Sequence, residues 1–228
     1  MRSKPTAAEY VPEQTNTTPN PCTPICAPTL TPPAQRSQIN LMDTVLDHPW
    51  TTETFLAWED RQEGKHEFDG IQVVPMTGGS VAHQDIVFNL RVLLARLLTG
   101  TSFRALHEMR LRIGERVRYP DVLVCPVTVP QTQRTLTDAI VVFEVLSDDT
   151  AATDRVVKLR DYAEIPSLQY YVMLEQASRA AIICQPAKGG AWITSPQTRG
   201  AIALPELNLA LPLDDIYQGL SFPPDMTA

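Results

Sequence analysis

Residues 139–146 read Ala-Ile-Val-Val-Phe-Glu-Val-Leu. β-Branched and aromatic side chains favour the pleated surface of a sheet, and an unbroken apolar run belongs to a strand covered on both faces. The run predicts a central strand, and Glu144 is the anomaly within it. A carboxylate buried there without a partner costs several kcal/mol or keeps its proton. Upstream, residues 119–125 hold a second apolar centre, Val122-Leu123-Val124, opened by Asp121 directly after Pro120. Proline suits the first position of a strand, so Asp121 is expected at a strand entrance. Two acids at the ends of neighbouring core strands repel each other unless a cation sits between them, and hard oxygen ligands suit Mg2+ or Mn2+. The alternative is that Asp121 caps a turn while Glu144 pairs with an arginine such as Arg110 or Arg112.

Towards the N-terminus, Thr51 caps a predicted helix at 52–61, with Trp50 and Phe55 in the two positions of a hydrophobic staple. Asp69-Gly70, between the runs 66–68 and 71–74, predicts a hairpin with a two-residue loop. Ser80 caps a longer helix ended by Gly100, on which His83, Val87, Leu90, Leu94 and Leu97 recur at spacings of four and three as one packed face. Strands are expected at 102–106, 110–113 and 119–125, then the central one at 139–146. Asp149 or Thr150 caps a further helix that Pro166 stops, and strands at 168–174 and 179–185 with an edge at 191–194 complete the pattern. There is no internal repeat. Helices and strands in this order predict an α/β fold with a mixed central β-sheet flanked by helices.

Eight of the 20 prolines precede Leu41, in a stretch otherwise rich in Thr, Asn, Gln and Ala. Residues 1–41 are therefore expected to be a disordered tail, followed by one folded domain at 42–222 and a short tail at 223–228. Cys22 and Cys26 lack further metal ligands nearby, so no zinc site is expected there. With 26 acidic and 19 basic side chains the formal charge is −7, which excludes a histone-like or polybasic binder. No run approaches the roughly 18–20 apolar residues that span a bilayer, and residues 1–14 lack the apolar core of a secretory signal. Membrane insertion is not expected, and a reduced, cytoplasmic setting is. Residues 1–43 are neutral, so the remainder carries the whole negative charge, which opposes a polyanionic partner. One basic strip runs the other way: Arg104, Arg110, Arg112, Arg116 and Arg118. Along a strand Arg110 and Arg112 share a face, as do Arg116 and Arg118, forming either a phosphate grip or a solvated hairpin.

The acid pair has a wider context. Pro120-Asp121 and, 23 positions after the aspartate, Glu144-Val145-Leu146 resemble the PD-(D/E)XK nuclease superfamily. The longer series His66-Glu67-Phe68-Asp69-Gly70, Gly79-Ser80-Val81-Ala82-His83, Tyr119-Pro120-Asp121-Val122, Glu144-Val145-Leu146-Ser147 and Asp154-x3-Lys158-x3-Tyr162 resembles the Uma2 family of restriction-endonuclease-like proteins over roughly 44–220. The resemblance implies a restriction-endonuclease-like core and metal-dependent hydrolysis of phosphodiester bonds in DNA, with Asp121, Glu144 and Glu67 holding Mg2+ (or Mn2+). It implies a catalytic Lys158 as well. Leu146 stands where the superfamily has its strand lysine, and Lys158 lies on the next helix in one stripe with Asp154 and Tyr162; the local alternative is an Asp154–Lys158 helical ion pair worth a few tenths of a kcal/mol. For Glu67 the alternative is a solvent-facing hairpin residue.

His83 is implied as a phosphate contact or a support for the ligands, against a packed core histidine as the plain reading. Arg110, Arg112 and Tyr162 are further candidates for phosphate or supporting contacts. Ser147 reads as a helix cap, because no His–acid pair accompanies it. DNA is the expected partner, a homodimer follows by analogy with enzymes that cut both strands, and a membrane is no partner. Two other readings stay open: a catalytically inactive nuclease-fold module that binds nucleic acid or protein, and a metal-dependent hydrolase of another phosphorylated substrate.

Overall fold

The computed structural model describes residues 50–146, 151–187 and 191–222, without the side chains of 151–155. The expected tails at 1–41 and 223–228, the domain start at 42, Cys22, Cys26, Ser147, the caps Asp149 and Thr150 and the Asp154 side chain lie outside the described residues. Helix α1 (Thr52–Glu59) begins where its cap chemistry dictates. Thr51 Oγ1 accepts the Thr54 N–H at 3.2 Å and Thr54 Oγ1 accepts the Thr51 N–H at 2.9 Å, satisfying two orphan donors reciprocally. Strands β1 (His66–Phe68) and β2 (Val73–Pro75) form the expected hairpin, but four residues connect them rather than two. The Asp69 carboxylate accepts the N–H groups of Ile71 and Gln72 at 2.8 and 2.6 Å, so a side chain closes the loop, with Gly70 at φ +95°.

Helix α2 (Val81–Leu97) follows Ser80, whose Oγ accepts the His83 N–H at 3.1 Å. Its buried line is Ile86, Leu90, Leu93 and Leu94, a step round the helix from the expected stripe, which leaves His83 and Val87 at the margin. Strands β3 (Phe103–His107), β4 (Arg110–Ile113), β5 (Arg116–Arg118), β6 (Val122–Pro126), β7 (Thr135–Leu136) and β8 (Val141–Leu146) lead to helix α3 (Ala151–Tyr162). Then come β9 (Tyr170–Glu175), β10 (Ala181–Pro186), β11 (Trp192–Gln197), the hairpin of β12 (Ala201–Leu204) and β13 (Leu209–Pro212), and the short helix α4 (Leu213–Ile216).

The central sheet has the order β11-β10-β9-β8-β6-β3, with β8 parallel to β9 and antiparallel to β6. All six residues of β8 are buried, as its composition requires. Alternation sends Val141, Phe143 and Val145 into one core with Ile86, Leu90 and Leu94 of α2. Val142 and Leu146 enter a second core with Tyr162 of α3. Glu144 has the parity of Val142 and Leu146, so its carboxylate faces α3. The expected mixed central sheet flanked by helices is the observed architecture. A second sheet, ordered β2-β1-β5-β4-β7, was not legible in sequence: β5 offers only Val117 between two arginines, and charge pairing rather than an apolar run carries its burial. Among the described residues no helix is long and apolar enough to cross a membrane.

The packing of α2 on the sheet sets a stability expectation. In urea unfolding, Leu90→Ala, fully buried, should cost about 2–5 kcal/mol, whereas Val92→Ala, 55% exposed on the opposite side, should stay within about 0.5 kcal/mol. Equal losses would contradict this helix orientation.

Candidate active site

The register Val122↔Phe143 between β6 and β8 puts Asp121, one residue before β6, opposite Glu144. Asp121 Oδ2 accepts the Val145 N–H at 2.7 Å, and its Oδ1 lies 3.1 Å from His83 Nε2. Glu144 is 5% exposed, and its Oε1 accepts the Tyr162 hydroxyl at 2.6 Å and the Lys158 ammonium at 3.1 Å. Both donors come from one stripe of α3, a turn apart, so the spacing of four seen in sequence delivers them to a single oxygen. Glu144 is thus met by a lysine and a tyrosine, not by Arg110 or Arg112.

Burial pushes the Glu144 carboxyl up to about 7; the Lys158 ammonium opposes this, while Asp121 and Glu67 add to it. For Lys158 burial acts downward, but the attraction of Glu144 and then Glu67 outweighs it, so the ammonium holds its proton more firmly than a free lysine. The Tyr162 phenol is raised by burial and by the negative charge of Glu144 and Glu67. The His83 imidazole is raised by its hydrogen bond to Asp121, against the effect of burial.

These groups open into a cleft of about 610 Å3 that Glu67, His83, Asp121, Glu144 and Lys158 line together. Several of its other walls carried little signal in sequence. A Cβ added at Gly79 would sit 2.6 Å from the His83 ring, so glycine is what lets the ring lie against the loop before α2. Ser80 Oγ donates to Gln176 Oε1 at 2.5 Å, and Gln176 Nε2 donates to the Leu146 carbonyl at 2.8 Å, tying the start of α2 to the end of β8. The Gly78-Gly79-Ser80 run was a visible clue to such a loop. Gln176, 30 positions beyond Leu146, left none.

Glu67 reaches the cleft from β1 but is held from behind. Its Oε2 accepts from Arg118 Nη1 at 3.0 Å and its Oε1 accepts the Tyr119 N–H at 3.1 Å. Arg118 in turn donates from Nε and Nη2 to Asp161 Oδ2 of α3, at 3.0 and 2.6 Å. The arginine strip needs correcting as a phosphate grip. Arg110 Nη2 donates to Glu59 and to Asp60, the latter at 2.8 Å, and its Nε donates to the Tyr119 hydroxyl at 2.8 Å. Arg112 faces Glu53 at 3.0 Å, and Arg116 faces Asp161 at 3.3 Å and also Glu164. Neither Arg110 nor Arg112 lines the cleft. Carboxylates from α1, α3 and the β4–β5 hairpin itself claim the guanidinium groups, and the hairpin is internal rather than solvated.

Among the described residues no three His, Cys, Asp or Glu side chains stand close enough to form a complete metal cage. Both Glu67 oxygens already accept hydrogen bonds, from Arg118 and the Tyr119 amide. The Asp121–Glu144 pair still fits a hard divalent cation in kind, with oxygen donors and with the negative charge of Asp121 and Glu67 adding to the burial that raises Glu144.

Residues 52–216 match a family model, Uma2, described as "Putative restriction endonuclease". The uncharacterized protein slr1290 of Synechocystis sp. (strain ATCC 27184 / PCC 6803 / Kazusa) is 33% identical over 175 residues, which is 75% of this chain and 92% of that protein. Its compatriot sll1609, also uncharacterized, is 32% identical over 132 residues, 55% of this chain and 75% of its own. Among solved structures, a "putative nuclease belonging to DUF820" from Anabaena variabilis ATCC 29413 superposes with a TM-score of 0.64 at 15% identity, over 74% of this chain and 98% of that one. That likeness shows the shared restriction-endonuclease-like fold.

The raised Glu144 carboxyl has a consequence for stability. It holds its proton to about 7, where an unfolded glutamate releases it near 4.5, so the native protein binds more protons across that window and loses stability as pH rises through it. In urea unfolding of metal-free protein between about pH 5 and pH 8, Glu144→Gln should remove roughly 1–3 kcal/mol of that fall. Identical pH dependence in the two proteins would contradict the effect of burial on Glu144.

Proposed function

The chain belongs to the Uma2 family, described as "Putative restriction endonuclease", and on that premise we propose that it is a Mg2+- or Mn2+-dependent nuclease hydrolysing phosphodiester bonds in DNA. One observation carries the reading: two acids at the ends of neighbouring core strands share a cleft with the Lys158 ammonium, only 18% exposed, a group rarely withdrawn from water unless it is paired. Asp121 and Glu144, with Glu67 beside them, would hold the cation. Bound there, it would neutralise charge on the scissile phosphate and lower the pKa of a water.

The chain's own residues supply the rest. The Val145 N–H and His83 fix both oxygens of Asp121, and Tyr162 fixes Glu144 from the dry side of α3. Lys158 sets a permanent positive charge in the cleft wall, where it stabilises the anion developing on the phosphoryl oxygens; in this role it replaces the strand lysine that Leu146 omits. The carboxylates act as ligands, not as general bases. His83, cationic over more of the pH range than a free histidine, would meet a phosphate oxygen at the same wall.

A second reading is favoured by the Lys158–Glu144 contact itself, since a purely structural ion pair has the same form. In that case the domain binds nucleic acid or protein without cutting. Plasmid cleavage in Mg2+ or Mn2+ decides between them. Asp121→Asn, Glu144→Gln and Lys158→Met should each slow cleavage by at least about 100-fold, and the thermal stabilisation by Mg2+ should vanish in Asp121→Asn. Cleavage that survives chelation or all three changes overturns the hydrolytic assignment. Absence of both cleavage and a metal response points to the binding module.

A further inference from the structure

The arginines nearest the cleft in sequence are committed to internal carboxylates, and the cleft wall itself carries Glu67, Glu108, Asp121 and Glu144 against Lys158 and His83. A duplex, with one charge per roughly 1.7 Å of axis, finds little to grip there. The outer side of α2 offers a different chemistry. Gln84 lines the cleft, Phe88 one turn further exposes 62% of its surface, and Arg91 is exposed with no ion pair among the described residues. Spacings of four and three put the three on one stripe that leads away from the cleft for roughly 10 Å. The imidazole of His107, at the end of β3, is lowered by burial and then by the charge of the Arg91 guanidinium. His107 pairs with Val122, the neighbour of Asp121, and the stripe itself begins at the cleft with Gln84.

An exposed phenylalanine adds nothing to the core, but it offers a face on which any unpaired base can stack. Bases in a duplex are already stacked on each other and present only their edges. Resting on the nuclease reading above, we propose that the cleft takes single-stranded or locally unpaired nucleic acid, which leaves along α2 with a base on Phe88 and a phosphate at Arg91. The rival occupant is a second copy of the chain, because Val81 and Val92 flank Phe88 with 79% and 55% exposure. Continuity with the cleft through Gln84 and the guanidinium of Arg91, unpaired among the described residues, favour nucleic acid.

The test compares cleavage of one mixed-sequence strand and of its duplex by the full-length chain in Mn2+. The strand should be cut with a kcat/KM at least about tenfold above the duplex, and Phe88→Ala should raise its KM about fivefold or more with kcat unchanged. Phe88→Tyr should restore KM, and Arg91→Ala should lower the slope of log KM against log salt by about 0.7. Equal cutting of both forms, or no effect of Phe88→Ala, overturns the proposal. So does a dimer in sedimentation that Phe88→Ala dissociates. If neither form is cut, the nuclease reading falls separately. Anisotropy then decides the role of the stripe: strand binding weakened by Phe88→Ala upholds it, and no binding overturns it.

Discussion

Placing a carboxylate in the middle of a fully buried strand forces the surrounding chain to answer it. Glu144 faces α3 because strand alternation leaves it no other side, and α3 responds with Lys158 and Tyr162 on one oxygen. The same strand supplies the Val145 N–H that fixes Asp121, so the two acids are locked relative to each other by β8 itself. Fully satisfied polar groups in a dry interior rigidify their surroundings, whereas removing one partner leaves a charge uncompensated. The inner face of α3 and the entrance of β6 meet at this one buried carboxylate and the strand that carries it.

A second charge chain supports the first from outside. Arg118 lies between Glu67 and Asp161 and is 5% exposed, while Asp161 is fully buried. Through it the small sheet that carries Glu67 is tied to the helix that carries Lys158. Burial acts to lower Arg118, but the attraction of Glu67 and its bonds to Asp161 outweigh it, so its charge is permanent. The Glu59–Arg110–Tyr119 group plays the same part beneath α1. A chain with a net charge of −7 thus uses its arginines as internal cement, which leaves acids predominant in the cleft wall.

Part of this architecture is legible in the amino-acid sequence. The composition of 139–146 marks the central strand, Pro120 marks the entrance at Asp121, and the spacing of Lys158 and Tyr162 marks one face of a helix, all through local rules of period and propensity. The capping threonine and serine set the starts of α1 and α2 for the same reason. The long-range pairs are not readable in this way. Nothing adjacent to Arg118 names Asp161, 43 positions away, and the arginine strip resembles an exposed grip until its carboxylates arrive from other elements. The Asp69 loop departs from the two-residue turn because a side-chain acceptor competes with backbone turn geometry. The hairpin of β12 and β13 closes on core residues such as Ile202 and Leu211, whose short alternating runs are easily taken for loop.

Metal-dependent hydrolysis in this cleft requires that the two acids jointly hold a doubly charged ion. Anomalous diffraction from crystals soaked in Mn2+ reads this directly. The prediction is a single strong peak at about 2 Å from oxygens of both Asp121 and Glu144. A cleft without a peak, with the Lys158 ammonium still bridging Glu144, would contradict it.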